Sequence, residues 1–167
     1  MSGGELRRPP ARTGTSHPRR PSAARLAFDL VTPRELADAY LAALSKGDLD
    51  RILALFAPGA MVYSPMYGPN SAVDFFPKTL GDSSASYLTL RGVTTGETVT
   101  GTRLVNIWFH YDWRLPSGRP APFDVVDVME LDAEGRIAAM HIVYDTIDVR
   151  PAYEEDTGHP SYRKPRD

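Results

Sequence analysis

Residues 103–131 read RLVNIWFHYDWRLPSGRPAPFDVVDVMEL. Two long runs, Arg103 to Leu115 and Pro122 to Leu131, are rich in β-branched and aromatic residues and alternate in polarity. Pro116-Ser117-Gly118 supplies the turn between them. The stretch therefore reads as an antiparallel hairpin. Tyr87 to Thr95 upstream and Arg136 to Tyr144 downstream have the same character. Thr95-Gly96 and Asp132-Ala133-Glu134-Gly135 mark the turns that set them off, so the hairpin extends into an antiparallel meander.

Helical periodicity precedes the strands. Thr32-Pro33-Arg34-Glu35 is a capping box with proline at the first helical position, and Leu36, Ala37, Tyr40, Leu41 and Leu44 make one apolar stripe. Gly47 stops that helix. Asp48 caps a second one, with Leu49, Ile52, Leu53 and Phe56 as its stripe and Ala57-Pro58-Gly59 as its end. Ala60 to Met66 reads as a short extended piece. Asn70 or Ser71 then caps a brief third helix through Val73, Phe75 and Phe76, which Pro77 kinks or ends. Helices segregated before a run of strands predict an α+β fold, about three N-terminal helices packed on the concave face of a curled antiparallel sheet.

The 167 residues suit one domain, and 42% hydrophobic with 24% charged residues suit a globular chain rather than a disordered one. No apolar run is long enough to span a bilayer. Cysteine is absent, which excludes disulfides, thiol nucleophiles and zinc–thiolate sites. The net charge of -2 conceals an asymmetry, with net +5 in residues 1–25 and net −6 in residues 26–150. So acidic a body is a poor nucleic-acid surface. Arg7-Arg8 and Arg19-Arg20 are followed by no apolar segment, which argues against a twin-arginine signal. The expected organisation is a disordered Arg/Pro-rich extension over 1–25, a folded domain over 26–150 and a flexible tail over 151–167, in a cytoplasmic protein.

Within the hairpin, Phe123, Val125, Asp127, Met129 and Leu131 share one strand face. An acid on an apolar stripe is desolvated, and its pKa should rise towards neutrality, where it serves as a general acid or base. A buried acid satisfied by a backbone amide or a tyrosine is the other reading. On the preceding strand, Val105, Ile107, Phe109, Tyr111 and Trp113 form one face, and Asn106, Trp108, His110, Asp112 and Arg114 the other. Binary pattern alone turns the first set inward. Tyr40, in line with Leu36 and Leu44, points into the core as a hydrogen-bond donor or as a plain core tyrosine. Tyr63, Tyr67, Phe75, Phe76 and Tyr144 add aromatic surface. The four histidines (His17, His110, His141, His159) are scattered without an accompanying acid pattern, so no metal site is expected.

The run Ala39 to Asp50, followed by Ile52, Leu55 and Phe56, resembles the opening of ketosteroid isomerases. Leu115-Pro116-Ser117-Gly118-Arg119, then Asp127, then Glu134-Gly135-Arg136-Ile137, resembles SnoaL-like polyketide cyclases and limonene-epoxide hydrolases. All belong to the nuclear transport factor 2-like superfamily, and the resemblance covers about residues 33–150. It implies a cone-shaped curled sheet closed by helices. It places Tyr40 at the isomerase's oxyanion-donating tyrosine and Asp127 both at its protonated second donor and at the catalytic aspartate of SnoaL-like enzymes. Ser64 stands at the isomerase's general-base aspartate, and serine cannot take a proton from carbon. Trp108, His110 and Ile142 fall at the arginine and two aspartates of the epoxide hydrolases, so that triad is excluded in unmodified form.

The turn of the resembling families also implies a register, with Trp108 opposite Asp127 and His110 opposite Val125. On that register the expected catalytic residues are Asp127, His110 and Tyr40. The pocket is lined by Trp108, Asp112, Ser64, Phe76, Val125, Met129, Ile142 and Tyr144. The aromatic set of the same strand, with Val126, Val128 and Val143, becomes an outer patch that a homodimer covers, and His141 is structural. The expected function is a cofactor-independent cyclase or isomerase acting on a hydrophobic polyketide-like or polycyclic molecule. The alternative is a non-catalytic dimeric protein that binds small ligands or assists another enzyme.

Overall fold

A computed structural model describes residues 32–163. The extension expected over 1–25 lies outside the described residues. Helix α1 spans Pro33–Lys46 and α2 spans Leu49–Ala54. Strands β1 (Phe56–Ser64) and β2 (Gly68–Ser71) follow, then α3 (Ala72–Gly81). Four strands come next: β3 (Ala85–Glu97), β4 (Arg103–Arg114), β5 (Phe123–Leu131) and β6 (Ile137–Val143). Helix α4 (Val149–Thr157) ends the series.

Local chemistry fixes the helix boundaries. The Thr32 side chain accepts from the Glu35 amide while the Glu35 carboxylate accepts from the Thr32 amide, completing the capping box, with Pro33 at the first position. Gly47 ends α1 at φ 64°, a left-handed conformation that glycine adopts without a Cβ penalty. Asp48 caps α2 through the Arg51 amide, and Ser71 caps α3 through the Asp74 amide. Pro77 does not end α3, which runs on to Gly81. The amide that proline lacks would have bonded Val73, which lies in the exposed first turn.

The six strands form one curled, open sheet in the order β2-β1-β6-β5-β4-β3. Neighbours pair antiparallel except β1 and β6, which run parallel, so the sheet is mixed rather than antiparallel throughout. The parallel pair arises because β1 enters the sheet from the helices, between its own hairpin partner and the last strand.

The decisive correction concerns β4. Ile107 pairs with Asp127, Trp108 with Val126, Phe109 with Val125 and His110 with Asp124. The hairpin is one residue out of step with the register implied by the resemblance, and a one-residue slip turns every side chain over. Val105, Ile107, Phe109, Tyr111 and Trp113 are buried against the helices, whereas Trp108 is 49% exposed. The cause lies in the connection, where the Ala121 amide bonds the Trp113 carbonyl and the hairpin centres on Ser117. The simple binary pattern held, and the expected aromatic outer patch does not exist.

Residues 149–157, expected to lie mostly in a flexible tail, instead form α4. Val149, Ala152 and Tyr153 are buried in the core shared by α1, α3 and the inner sheet face. No helix among the described residues is long and apolar enough to cross a membrane.

Candidate active site

A narrow cavity opens between α1, α3 and the inner face of the sheet. The space between its side chains, continuous with solvent, is about 480 Å³. Its walls are mostly aromatic: Phe75 and Tyr67 on one side, Phe109, Tyr111 and Trp113 from β4, and Phe123 and Tyr144 from β5 and the end of β6. Leu44, Val125 and Ile142 complete the apolar lining, with Tyr40, Ser64, Thr79 and Asp127 adding polar groups.

Asp127 is the only carboxyl among these residues. It is 2% exposed and sits between Ile107 on β4 and Ile142 on β6. Burial among such neighbours penalises the carboxylate and pushes the group up to about 7. The Tyr40 hydroxyl, in the same cavity, opposes this shift by favouring the charged form. One carboxyl oxygen, Oδ1, has no hydrogen-bond partner in the protein, although such buried atoms are nearly always satisfied.

Tyr40 is carried to this point by the buried stripe of α1 and is backed edge-on by Phe76 at 6.4 Å between ring centroids. Burial, and then the Asp127 charge, hold its hydroxyl well above the usual tyrosine range. Burial likewise raises Tyr111 and Tyr144, which also feel the Asp127 charge. All three phenols stay protonated around neutral pH and can donate hydrogen bonds. The Tyr111 hydroxyl lies 2.8 Å from Ser86 Oγ, and the Tyr144 hydroxyl interacts with Ser64. Ser64 Oγ accepts from the amides of Met66 and Tyr67 at 3.2 Å each, which fixes the turn after β1.

Of the residues expected from the sequence, Asp127, Tyr40, Ser64, Val125, Ile142 and Tyr144 come together in the cavity. Phe76 and Met129 are buried but do not line it; Phe76 supports Tyr40, and Met129 lies two residues along β5 from Asp127. Trp108, His110 and Asp112 are on the opposite face of the sheet. There His110 Nδ1 lies 3.0 Å from Asp124 Oδ1, Arg91 Nε is 3.5 Å from the same oxygen, and Asp112 pairs with Arg114 at 2.9 Å. Tyr63 also faces outward, stacked on His141 at 4.5 Å. The cavity residues that the favoured register missed are Phe109, Tyr111 and Trp113, and the apolar alternation of β4 was the signal for them. Among the described residues no group of three His, Asp or Glu side chains is placed to hold a metal ion.

The arrangement can exchange a proton at neutral pH through Asp127 and stabilise a developing oxyanion through a neutral phenol. Comparison with known proteins places the fold. Solved structures of similar fold include SalBIII, named as an epoxide hydrolase/cyclase-like enzyme in pyran ring formation in the polyether salinomycin. It is 18% identical, with a TM-score of 0.55 over 70% of this chain and 92% of that one. AclR from Streptomyces galilaeus, provisionally named a hydroxylase, is 16% identical with a TM-score of 0.55 over 74% and 96%. A protein from Pseudomonas putida, provisionally named a polyketide cyclase, is 17% identical with a TM-score of 0.51 over 71% and 95%. No curated protein matches the sequence. The SnoaL-like domain profile, however, matches residues 37–140, and the chain belongs to that family.

Proposed function

We propose that the chain is a cofactor-independent acid–base enzyme, a cyclase or isomerase, acting on an uncharged hydrophobic molecule of polyketide-like or polycyclic type. The observation that carries this reading is Asp127: buried, raised to about 7, and with Oδ1 unpartnered in an aromatic cavity. As a carboxylate it takes a proton from carbon next to a carbonyl. The Tyr40 hydroxyl, neutral and lining the same cavity, donates to the enolate oxygen. The same proton then returns to carbon or to a leaving oxygen, closing the cycle. The names given to SalBIII and to the Pseudomonas protein agree with ring-forming chemistry on such molecules. His110 has no part in this scheme, because it faces away from the cavity.

The test is deuterium exchange at the α-carbons of 2-tetralone, a neutral bicyclic ketone, followed by NMR. The expected result is exchange that rises through an inflection near pH 7 and falls about 10²–10⁴-fold in Asp127→Asn. Equal exchange in the two proteins overturns the reading. The second reading, a non-catalytic ligand-binding or accessory protein, draws on Ser64, which leaves the cavity with a single carboxyl. It predicts binding of 2-tetralone without exchange.

We further propose that the chain is a cytoplasmic homodimer joined through the outer sheet face. That face carries Trp108, 49% exposed, Val143, 58% exposed, and Tyr63. These residues replace the aromatic patch expected from the other register.

A further inference from the structure

The family profile ends at residue 140, yet one end of the cavity is held by residues beyond it. Trp113 stands six residues along β4 from Ile107, the partner of Asp127, which is up to roughly 20 Å of strand. Trp113 and Tyr67 therefore wall the end of the cavity remote from the acid. Tyr153 of α4 sits behind both. Its ring stacks on Trp113 at 5.9 Å and 22°, and meets Tyr67 edge-on at 5.8 Å. The hydroxyls of Tyr153 and Tyr67 donate to the same atom, Asp82 Oδ2, at 3.1 and 3.0 Å. One carboxylate oxygen thus ties a phenol of the cavity wall to the C-terminal helix.

A second tie runs through Arg150. Its Nη2 donates to the Pro65 carbonyl at 2.9 Å, and its Nη1 to Ser161 Oγ and the Tyr162 carbonyl at 2.6 Å each. The Tyr162 amide donates to the Met66 carbonyl at 2.7 Å. Both contacts grip the turn that carries Ser64 and Tyr67 to the cavity. On the other side, Arg119 Nη1 reaches Glu155 at 2.7 Å, and the Ser117 hydroxyl bonds Asp156. Residues 146–163 therefore clasp the turn after β1 and the turn after β4, on either side of the wall.

We propose that residues 146–163 determine how long a ligand the cavity accepts, with Tyr153 and Arg150 as positioning residues that hold Trp113 and Tyr67 across its remote end. The proposal rests on reading the cavity as a ligand site. A short bicyclic ligand then fits with the clasp in place, and a longer fused-ring ligand enters only when the clasp is loosened.

The chain contains two tryptophans, so Trp108→Phe leaves Trp113 as the sole indole in the full-length protein. In that background acrylamide quenching should be weak, should rise severalfold in Tyr153→Ala and Arg150→Met, and should stay weak in Tyr153→Phe, which keeps the stacked ring. Arg150→Met leaves Tyr153 intact and serves if Tyr153→Ala fails to fold. Quenching that is equal in all variants overturns the proposal. The second readout compares 2-naphthol with the four-ring neutral dye Nile red. Loosened variants should bind 2-naphthol as the parent does and Nile red about tenfold tighter, equivalent to ~1.4 kcal/mol. Raised quenching with unchanged Nile red affinity overturns the proposal and leaves standing only that Tyr153 and Arg150 position Trp113. No binding of either probe to any variant overturns the ligand-site reading and the proposal with it.

Discussion

His110 Nδ1 lies 3.0 Å from Asp124 Oδ1 on one face of the sheet, while Asp127, three residues further along β5, opens onto the other. The histidine and the buried acid are therefore separated by the thickness of the sheet. His110→Ala should leave the titration of Asp127 where it is. An exposed pair of this kind contributes about 0–1 kcal/mol, so urea unfolding should shift little. Carboxyl-carbon NMR of Asp127 in both proteins checks the first point, and a moved titration would reunite the two groups in one site.

Asp127 links stability to pH. The group titrates at about 7 when folded, against an ordinary value of 3.8. Between those values the folded chain keeps a proton that the unfolded chain has lost, so stability falls as pH rises through the window. Below it nothing is lost; above about pH 7 the full penalty applies, on the order of a few kcal/mol at ~1.4 per unit. Asp127→Asn should abolish this slope, with the two proteins compared by urea unfolding from pH 4 to 8.

Tyr40 favours the carboxylate form of Asp127. Tyr40→Phe should therefore move the acid further up, and any activity that needs the carboxylate should shift to higher pH with it. A titration unchanged by the substitution would separate the two groups.

Gly68 is the position where the clasp is most sensitive. Its φ is +74°, and a Cβ there would lie 2.8 Å from Tyr162 Cδ2. Gly68→Ala should destabilise the protein by about 1–3 kcal/mol, and limited proteolysis should cut between residues 158 and 163 first. Resistance equal to wild type would show that Tyr162 is not held there.

Trp108→Asp tests the outer face. It should convert a dimer into a monomer by sedimentation while leaving the Asp127 titration intact. A wild-type monomer would rule out the proposed interface.

Much of this architecture was legible because its signals are local. The capping box at Thr32 and Glu35, the left-handed Gly47 and the cap at Ser71 each depend on residues within a few positions. Asp127 was legible for a similar reason, since alternation along β5 alone puts it among Phe123, Val125 and Met129. The face of β4 was harder. Its polar set contains Trp108 and its apolar set contains Tyr111 and Trp113, so either side could be imagined wet. A turn centred on Ser117 rather than after it reversed the choice. Helix α4 was missed because its buried residues, Val149, Ala152 and Tyr153, lie in a stretch of charged residues and proline whose composition looks like a tail. Its partners, Trp113, Tyr67 and Asp82, are distant in sequence.

The parallel pairing of β1 with β6 sets the order in which the protein can be made. Met61 and Val62 must wait for Ala139 and Met140, and contacts over such separations are slow to close. During synthesis β1 therefore emerges with one edge unpaired and waits through the production of β3, β4 and β5. Until β6 arrives, Asp127 lacks Ile142 as a neighbour, and the burial that raises it is incomplete on that side. The chemistry proposed for this acid is thus switched on late, when residues near 143 have joined the sheet.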